Sequence, residues 1–94
     1  MSQIADTILK QIVAIDPTAL FAWGVRQTYV GESSLTLKTT GMVKWKGYVE
    51  ITLNGNDLYN IRYFCIRKSN IVEVLTQSDV FVEDLVRMID SIVG

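Results

Sequence analysis

The side chains with the greatest capacity for recognition alternate along two neighbouring segments, in a pattern that predicts one outer face of a β-hairpin. They are cations interleaved with aromatic rings: Lys44, Lys46, Tyr48, Arg62 and Phe64. On a sheet surface, cations follow the phosphates of a single-stranded nucleic acid while aromatic rings stack on its bases. Tyrosine and arginine are also common anchors of protein interfaces. The pattern therefore leaves both kinds of binding open.

Groups suited to catalysis are scarce. The 94 residues include no histidine, which removes the commonest general base and metal ligand. The single cysteine, Cys65, excludes an internal disulfide and a thiolate cluster, and its position in the alternating pattern places it on the inner face of the hairpin. Glycine-rich phosphate loops, nucleophile elbows and zinc-ligand spacings do not occur. We therefore predict a protein that is not an enzyme, with no cofactor and no metal.

The charge of the chain is near neutral in total but uneven along its length. Nine lysines and arginines oppose ten carboxylates, a net charge of −1. Residues 33–69 hold six cations and two carboxylates (+4), whereas residues 70–94 hold one cation and five carboxylates (−4). Either the two segments neutralise each other within the fold, or they form a polarised binding surface. The total charge gives no general attraction to nucleic acid or to an anionic membrane.

Composition predicts one packed domain over residues 1–94. The chain is 49% hydrophobic and 20% charged, which is too apolar for a disordered segment. No apolar stretch approaches the roughly 20 residues that span a bilayer. The first residues also lack the cationic start and apolar run of a signal peptide. Together with one free cysteine, these features predict a cytoplasmic protein with no membrane partner.

Apolar residues recur at helical spacing near both ends of the chain. The spacing predicts a helix over residues 2–14, a short second helix over residues 18–23 and a final helix over residues 80–92. Ser78 or Asp79 is expected to cap the final helix.

Between the helices the period changes to two. Strands are expected at residues 27–30, from 35 to near 41, and at 43–54, 58–68 and 71–76. The fold class is therefore α+β: two N-terminal helices, a four- to five-stranded antiparallel meander sheet and a C-terminal helix, with the helices packed on one sheet face.

The segment Asn54-Gly55-Asn56-Asp57 is a strong hairpin signal. A two-residue loop here would mix polar and apolar side chains on one face. Pairing Asn54 with Leu58 keeps the faces separate, so we predict a three-residue or bulged loop. This register predicts two inner pairs and two outer pairs: Ile51 with Ile61, Val49 with Tyr63, Glu50 with Arg62, and Tyr48 with Phe64.

Aromatic side chains supply the expected binding area. Tyr48 and Phe64, with Trp23 or Trp45, are expected to be exposed or part-exposed. An exposed Phe64 is costly for a monomer, which favours a homo-oligomer or another protein partner. A different strand register would instead turn Phe64 inward and make it a core residue. The alternative is a single-stranded nucleic-acid-binding protein that uses the basic and aromatic hairpin face.

Several segments resemble a widespread group of small uncharacterised proteins encoded by bacteriophages and other mobile elements of bacteria. The segments are Ile4-Ala5-Asp6-Thr7-Ile8-Leu9, Leu53-Asn54, Asp57-Leu58-Tyr59-Asn60-Ile61, Ile66-Arg67-Lys68 and Val80-Phe81-Val82-Glu83-Asp84-Leu85. A further segment, residues 22–27, departs from the group's Gly-Ala-Lys-Asn pattern at Val25, Arg26 and Gln27. The resemblance implies a bacterial host cell and a non-catalytic module that acts by occupying a host or defence protein, a small-molecule signal or nucleic acid.

Overall fold

A five-stranded antiparallel sheet with helices at both ends of the chain makes up the protein. The computed structural model describes residues 3–39 and 47–93, except the side chain of Arg67. The elements in chain order are α1 (Gln3–Ile15), α2 (Ala19–Ala22), β1 (Val25–Val30), β2 (Ser34–Thr39), β3 (Gly47–Leu53), β4 (Tyr59–Arg67), β5 (Asn70–Val80) and α3 (Val82–Val93). The strands lie in the order β1-β2-β3-β4-β5, so each pairs with the next in sequence. The predicted α+β meander is confirmed, with five strands.

One face of the sheet, the inner face, meets the helices. α1 packs on β2, α3 packs on β4, and the two helices contact each other. Their buried residues join a row of sheet side chains in one core: Ala5, Ile8 and Ile12 of α1, Leu85, Val86, Ile89 and Val93 of α3, and Leu35, Leu37, Val49, Ile51, Ile61 and Tyr63 of the sheet. Full burial of each large aliphatic side chain contributes about 1.5–3 kcal/mol. We call the opposite face the outer face.

The β3–β4 hairpin has the predicted register. Ile51 lies opposite Ile61 and Glu50 opposite Arg62, and the other two predicted pairs are present as well. The N–H of Asn54 donates to the carbonyl of Leu58 at 2.8 Å, which closes the expected three-residue loop. The part of the predicted third strand that falls on residues 43–46 lies outside the described residues.

Strand β5 is longer than predicted. It runs from Asn70 to Val80, so the predicted cap at Ser78 or Asp79 is wrong and α3 begins at Val82. Asp79 takes a positive φ of 56°, and its N–H donates to Asn60 Oδ1 at 3.2 Å. This irregularity keeps β5 beside β4, because pairing resumes between Tyr59 and Val80. Asp79, which the sequence predicts as a possible helix cap, therefore forms part of β5 instead.

The second helix is a single turn, α2. Asp16 precedes it and accepts hydrogen bonds at Oδ1 from the N–H of Thr18 at 3.0 Å and from its hydroxyl at 2.8 Å. Gly24 follows it at a φ of 67°, a left-handed conformation that glycine adopts without strain. The chain thus reverses into β1 where the sequence predicts a helix end.

Candidate functional site

Three of the five predicted binding residues meet on the outer face of the β3–β4 hairpin. Tyr48 lies opposite Phe64, with ring centroids 5.1 Å apart and ring planes within 9°. Arg62 places its Cζ 4.7 Å from the centre of the Phe64 ring. The other two residues, Lys44 and Lys46, lie outside the described residues. The structure therefore brings together the two aromatic residues and the arginine of the predicted site.

Phe64 is on the predicted face but is not exposed. Only 7% of the residue is accessible, so the expectation of an exposed phenyl ring is wrong. The Tyr48 ring stacks on it and the guanidinium of Arg62 lies over it. Stacked rings and cation–π contacts each contribute about 0.5–1.5 kcal/mol beyond burial. These contacts indicate that Phe64 stabilises the outer face.

The charge of Arg62 is also engaged within the hairpin. Its Nε lies 3.1 Å from Glu50 Oε1, in ion-pair contact without hydrogen-bond geometry. Glu50 faces Arg62 directly across the two strands, as the sequence predicts. Partly exposed pairs of this kind contribute about 0.2–1 kcal/mol.

Tyr29 extends the aromatic row and was missed by sequence reasoning. Its ring centroid lies 6.3 Å from that of Tyr48, with the planes tilted by 46°. Tyr29 belongs to β1 and Tyr48 to β3, and β2 lies between them. The strand over residues 27–30 is predicted, but its face follows only from the β1–β2 register. Tyr29 is the more exposed ring of the row.

Trp23 is part of the core, which corrects its predicted exposure. The residue is 1% accessible, and its indole Nε1 donates to Asp90 Oδ1 of α3 at 3.0 Å. This bond ties the segment after α2 to the last helix. Trp45, the other tryptophan expected to be exposed, lies outside the described residues.

The described carboxylate and thiol groups do not form a metal-binding cluster. No group of three or more carboxylate or thiol ligands comes together among the described residues. Cys65 lies opposite Val72 at the half-buried end of the inner face, as predicted. Burial raises the pKa of the Tyr63 phenol, whose hydroxyl donates to Gln77 Oε1 at 2.8 Å. Burial also raises the pKa of Tyr59, partly offset by its hydrogen bond to Gln11.

The surface with the most exposed aliphatic side chains is strand β5 and the end of β4. We call it the β5 edge surface; its members are each between 38% and 59% exposed: Ile66, Ile71, Val72, Val74 and Leu75. β5 is the last strand of the sheet. Sequence reasoning missed this surface because it predicts a shorter strand and does not show that this strand lies at the edge. The signal in the sequence is that four of the five residues from 71 to 75 are aliphatic, the exception being Glu73.

A second apolar feature is a cleft of about 400 Å³ between α1 and strands β1 and β2. Leu9, Val30 and Leu35 are among the residues that line it, and its polar lining residues are Gln3, Asp6 and Thr28. Asp6 is already paired with Lys10 at 3.0 Å. Small-molecule sites are mostly apolar with a few polar groups that converge on a ligand.

The oppositely charged segments are not joined by the ion pairs that the structure places. Lys10 pairs with Asp6 in α1, Arg62 with Glu50 in the hairpin and Arg87 with Asp84 in α3. Each pair lies within one segment of the chain. Neutralisation of residues 33–69 by residues 70–94 therefore has no support from these three pairs.

Among the described residues, no helix is long and apolar enough to cross a membrane. No protein-family model, curated protein or solved structure matches the chain.

Proposed function

We propose that the protein is a non-catalytic protein-interaction module that binds through the β5 edge surface. The observation that carries this proposal is the concentration of exposed aliphatic side chains on an edge strand. Five such residues lie on β5 and the adjoining end of β4, and β5 runs for 11 residues. Exposed apolar side chains concentrated on one strand in this way are typical of protein interfaces, and here they lie on both faces of the sheet edge.

The edge position adds a backbone component to the apolar one. One side of an edge strand presents N–H and C=O groups that can pair with an additional strand. Proteins that remain monomeric commonly place lysine or proline on such edges. In β5 the charged residues are Glu73 and Asp79, and there is no proline. The chemistry of the surface therefore suits an extended segment of another polypeptide with apolar side chains.

The resemblance to bacteriophage and mobile-element proteins fits this proposal. A small protein of that setting, without catalytic groups, acts most simply by occupying a surface of another protein. The proposal accordingly retains a protein partner, of the host or a second copy of the chain, within the bacterial cytoplasm. The proposed binding surface is the β5 edge surface instead of the face around Phe64 that the sequence predicts.

Site-specific photo-crosslinking tests the proposal. A photoreactive amino acid replaces Val74 of the β5 edge surface in one variant and Val30 of β1 in the matched control. Both positions are exposed valines on edge strands. We expect a discrete protein adduct from position 74, in bacterial lysate or with the protein alone. The adduct should disappear when Val72→Lys is added to the same chain.

Equal adducts from positions 74 and 30 would contradict the proposal, as would an adduct at 74 that Val72→Lys leaves unchanged. Circular dichroism of each variant checks that the sheet is retained. The size of the adduct separates a second copy of the chain from another protein.

Single-stranded nucleic acid is the second candidate ligand, favoured by the ring row on the outer face. Tyr29 and Tyr48 are both accessible, and Lys38 lies directly opposite Tyr48 on β2. Fluorescence anisotropy with a labelled single strand at two salt concentrations tests this candidate. Binding that weakens with salt and with Tyr29→Ala would support it. Absence of binding at low salt would exclude it.

A further inference from the structure

We propose that the β5 edge surface pairs with a second copy of the chain, as two antiparallel β5 strands related by a two-fold axis between Glu73 and Val74. This inference rests on the proposed function and names its partner. It extends the five-stranded sheet into a continuous sheet of two chains. The argument comes from the register of β5, the faces of its side chains and its charges.

The β4–β5 register shows which face each β5 side chain occupies. Directly opposed residues of an antiparallel pair point to the same face. Val72 lies opposite Cys65, and Leu75 lies opposite buried Tyr63, so both belong to the inner face. Glu73 lies opposite Phe64 and Thr76 opposite Arg62, which places both on the outer face. Ile71 joins them, because it neighbours Val72 in the regular alternation.

A bulge separates the two halves of this pattern. The register shifts between Tyr63 and Phe64, where Val74 is the additional residue of β5 between Glu73 and Leu75. The order of faces is therefore mirrored about the bond from Glu73 to Val74. On either side the next residue is inner, Val72 or Leu75, and the one after it is outer, Ile71 or Thr76.

This symmetry is what self-pairing requires. A two-fold axis between Glu73 and Val74 opposes residues at equal distances from it. Val72 then lies opposite the partner's Leu75 on the inner face, and Ile71 lies opposite the partner's Thr76 on the outer face. The apolar inner contact occurs twice. It covers side chains that are 42% and 38% exposed in one chain.

Neighbouring registers do not preserve the faces. An axis through Glu73 opposes Val72 with the partner's Val74 and Ile71 with the partner's Leu75, and it brings two Glu73 carboxylates together. An axis through Val74 opposes Val72 with the partner's Thr76. Each shift places inner side chains against outer ones, which a two-sided sheet disfavours. The axis between the two residues is the one that matches both faces.

Charge favours the antiparallel direction of this pairing. Lys68 lies in the turn just before β5 and Asp79 lies near the end of β5, and both are exposed. Antiparallel pairing brings the start of β5, next to Lys68, towards the end of the partner strand that carries the partner's Asp79, twice in the dimer. The net charge of −4 over residues 70–94 is thus met locally by a cation of residues 33–69 from the other chain.

Pairing of β5 with the other edge strand, β1, is less suitable. β1 has six residues against 11 in β5. A β5–β1 contact between copies is heterologous and continues into a ring or an open filament. A two-fold β5 contact closes after two chains. The standard protein interface is about 800 Å² per partner, and a strand-edge contact is smaller, so we expect a dissociation constant on the order of micromolar.

Sedimentation equilibrium of the full chain tests the dimer. Wild type should pass from monomer to dimer as concentration rises, and Val72→Lys should raise the dissociation constant at least tenfold. The matched control is Val30→Lys, an exposed valine on the other edge strand, which should dimerise like wild type. Equal weakening by both substitutions would overturn the inference.

Charge exchange tests the antiparallel direction of the pairing. Lys68→Glu alone and Asp79→Lys alone each bring like charges together twice, so each homodimer should be roughly five- to tenfold weaker than wild type. Mixing the two variants restores opposite charges, so the heterodimer should approach wild-type affinity. Mixtures no tighter than either homodimer would overturn the proposed antiparallel pairing.

The outcomes separate this inference from the proposed function. A chain that remains monomeric at millimolar concentration overturns the dimer. If position 74 still forms a Val72-dependent adduct with another protein, the proposed function stands with a different partner. Absence of both the dimer and the adduct overturns both.

Discussion

The predicted register of the β3–β4 hairpin places Phe64 on the correct face, but the predicted exposure of its side chain is wrong. Alternation puts it on the outer face, which the sequence predicts to be exposed. Within the hairpin, Tyr48 stacks on one side and the guanidinium of Arg62 lies over the ring. The remaining access is 7%. Phe64 therefore belongs to a small outer cluster that stabilises the sheet.

Replacing Phe64 by alanine should lower the free energy of unfolding by about 3 kcal/mol, because a buried aromatic ring is lost. Urea unfolding at neutral pH measures the change. Phe21→Ala is the matched control, since Phe21 is 82% exposed and its loss should change stability by less than about 0.5 kcal/mol. Similar effects of the two substitutions would contradict the burial of Phe64.

Tyr63 is the titratable group most changed by folding. Burial raises the pKa of its phenol well above the ordinary value of 10.0, so the folded state keeps it protonated at alkaline pH. The unfolded state releases this proton at about pH 10. The stabilisation from the raised pKa is therefore complete below pH 10 and is lost as the pH rises through the folded pKa.

Tyr63→Phe should reduce this alkaline loss of stability. At pH 7 the substitution removes the hydrogen bond to Gln77 and should cost about 1 kcal/mol. Between pH 7 and pH 11 the variant should lose less stability than wild type, although Tyr59 continues to contribute in the same direction. Urea unfolding at both pH values gives the comparison. An equal loss in both proteins would contradict the assignment to Tyr63.

At the scale of elements, Asn54 connects the β3–β4 loop to the end of β5. Its Oδ1 accepts from the N–H groups of Asn56 at 2.8 Å and Leu58 at 3.2 Å. Its Nδ2 donates to Asn60 Oδ1 at 3.1 Å and Asp79 Oδ1 at 2.9 Å. One side-chain amide thus supports both the three-residue loop and the irregularity that extends β5.

Asn54→Asp should lower the free energy of unfolding by about 1–3 kcal/mol. The carboxylate retains the acceptor for the loop but removes both donors and places a like charge beside Asp79. Asn56→Asp in the same loop is the control for added charge, and it should have a clearly smaller effect because its residue is exposed. Thermal or urea unfolding measures both. Equal effects would show that the donor bonds of Asn54 contribute little.

For the whole molecule, the distribution of exposed apolar residues separates the two ends of the sheet. The helices cover the central strands, whereas β5 retains exposed aliphatic residues on its inner face. A contact that forms only between folded chains stabilises the folded state by mass action. Self-pairing through β5 consequently has an effect on unfolding as well as on molecular mass.

The midpoint of thermal unfolding should rise with protein concentration in wild type and in Val30→Lys. In Val72→Lys the midpoint should rise clearly less across the same range, because less of the folded protein is dimeric. Differential scanning calorimetry over a hundredfold range of concentration gives the measurement. A wild-type midpoint that does not change with concentration would contradict a folded dimer in that range.

The hairpin register was predictable because all its information is local. Asn54 to Asp57 specify the turn, and the alternation on either side admits one pairing that keeps polar and apolar faces apart. From this register, the face of the sheet on which each side chain lies was predicted correctly for Tyr48, Arg62, Phe64 and Cys65. The exposed fraction of each side chain was not predictable, because it depends on the side chains of neighbouring strands.

The sequence by itself determined the α+β class, the order of the elements, the central register and the scarcity of catalytic groups, because periodicity, turn residues and composition are properties of short segments. The tertiary structure decided that Trp23 and Phe64 are buried, that β5 continues to Val80 and that this strand lies at the edge. Phe64 is covered by side chains of its own hairpin, whereas the burial of Trp23 and the edge position of β5 depend on contacts between segments far apart in the chain. Exposure of an apolar run is set by what packs beside it, and a linear pattern does not contain that neighbour.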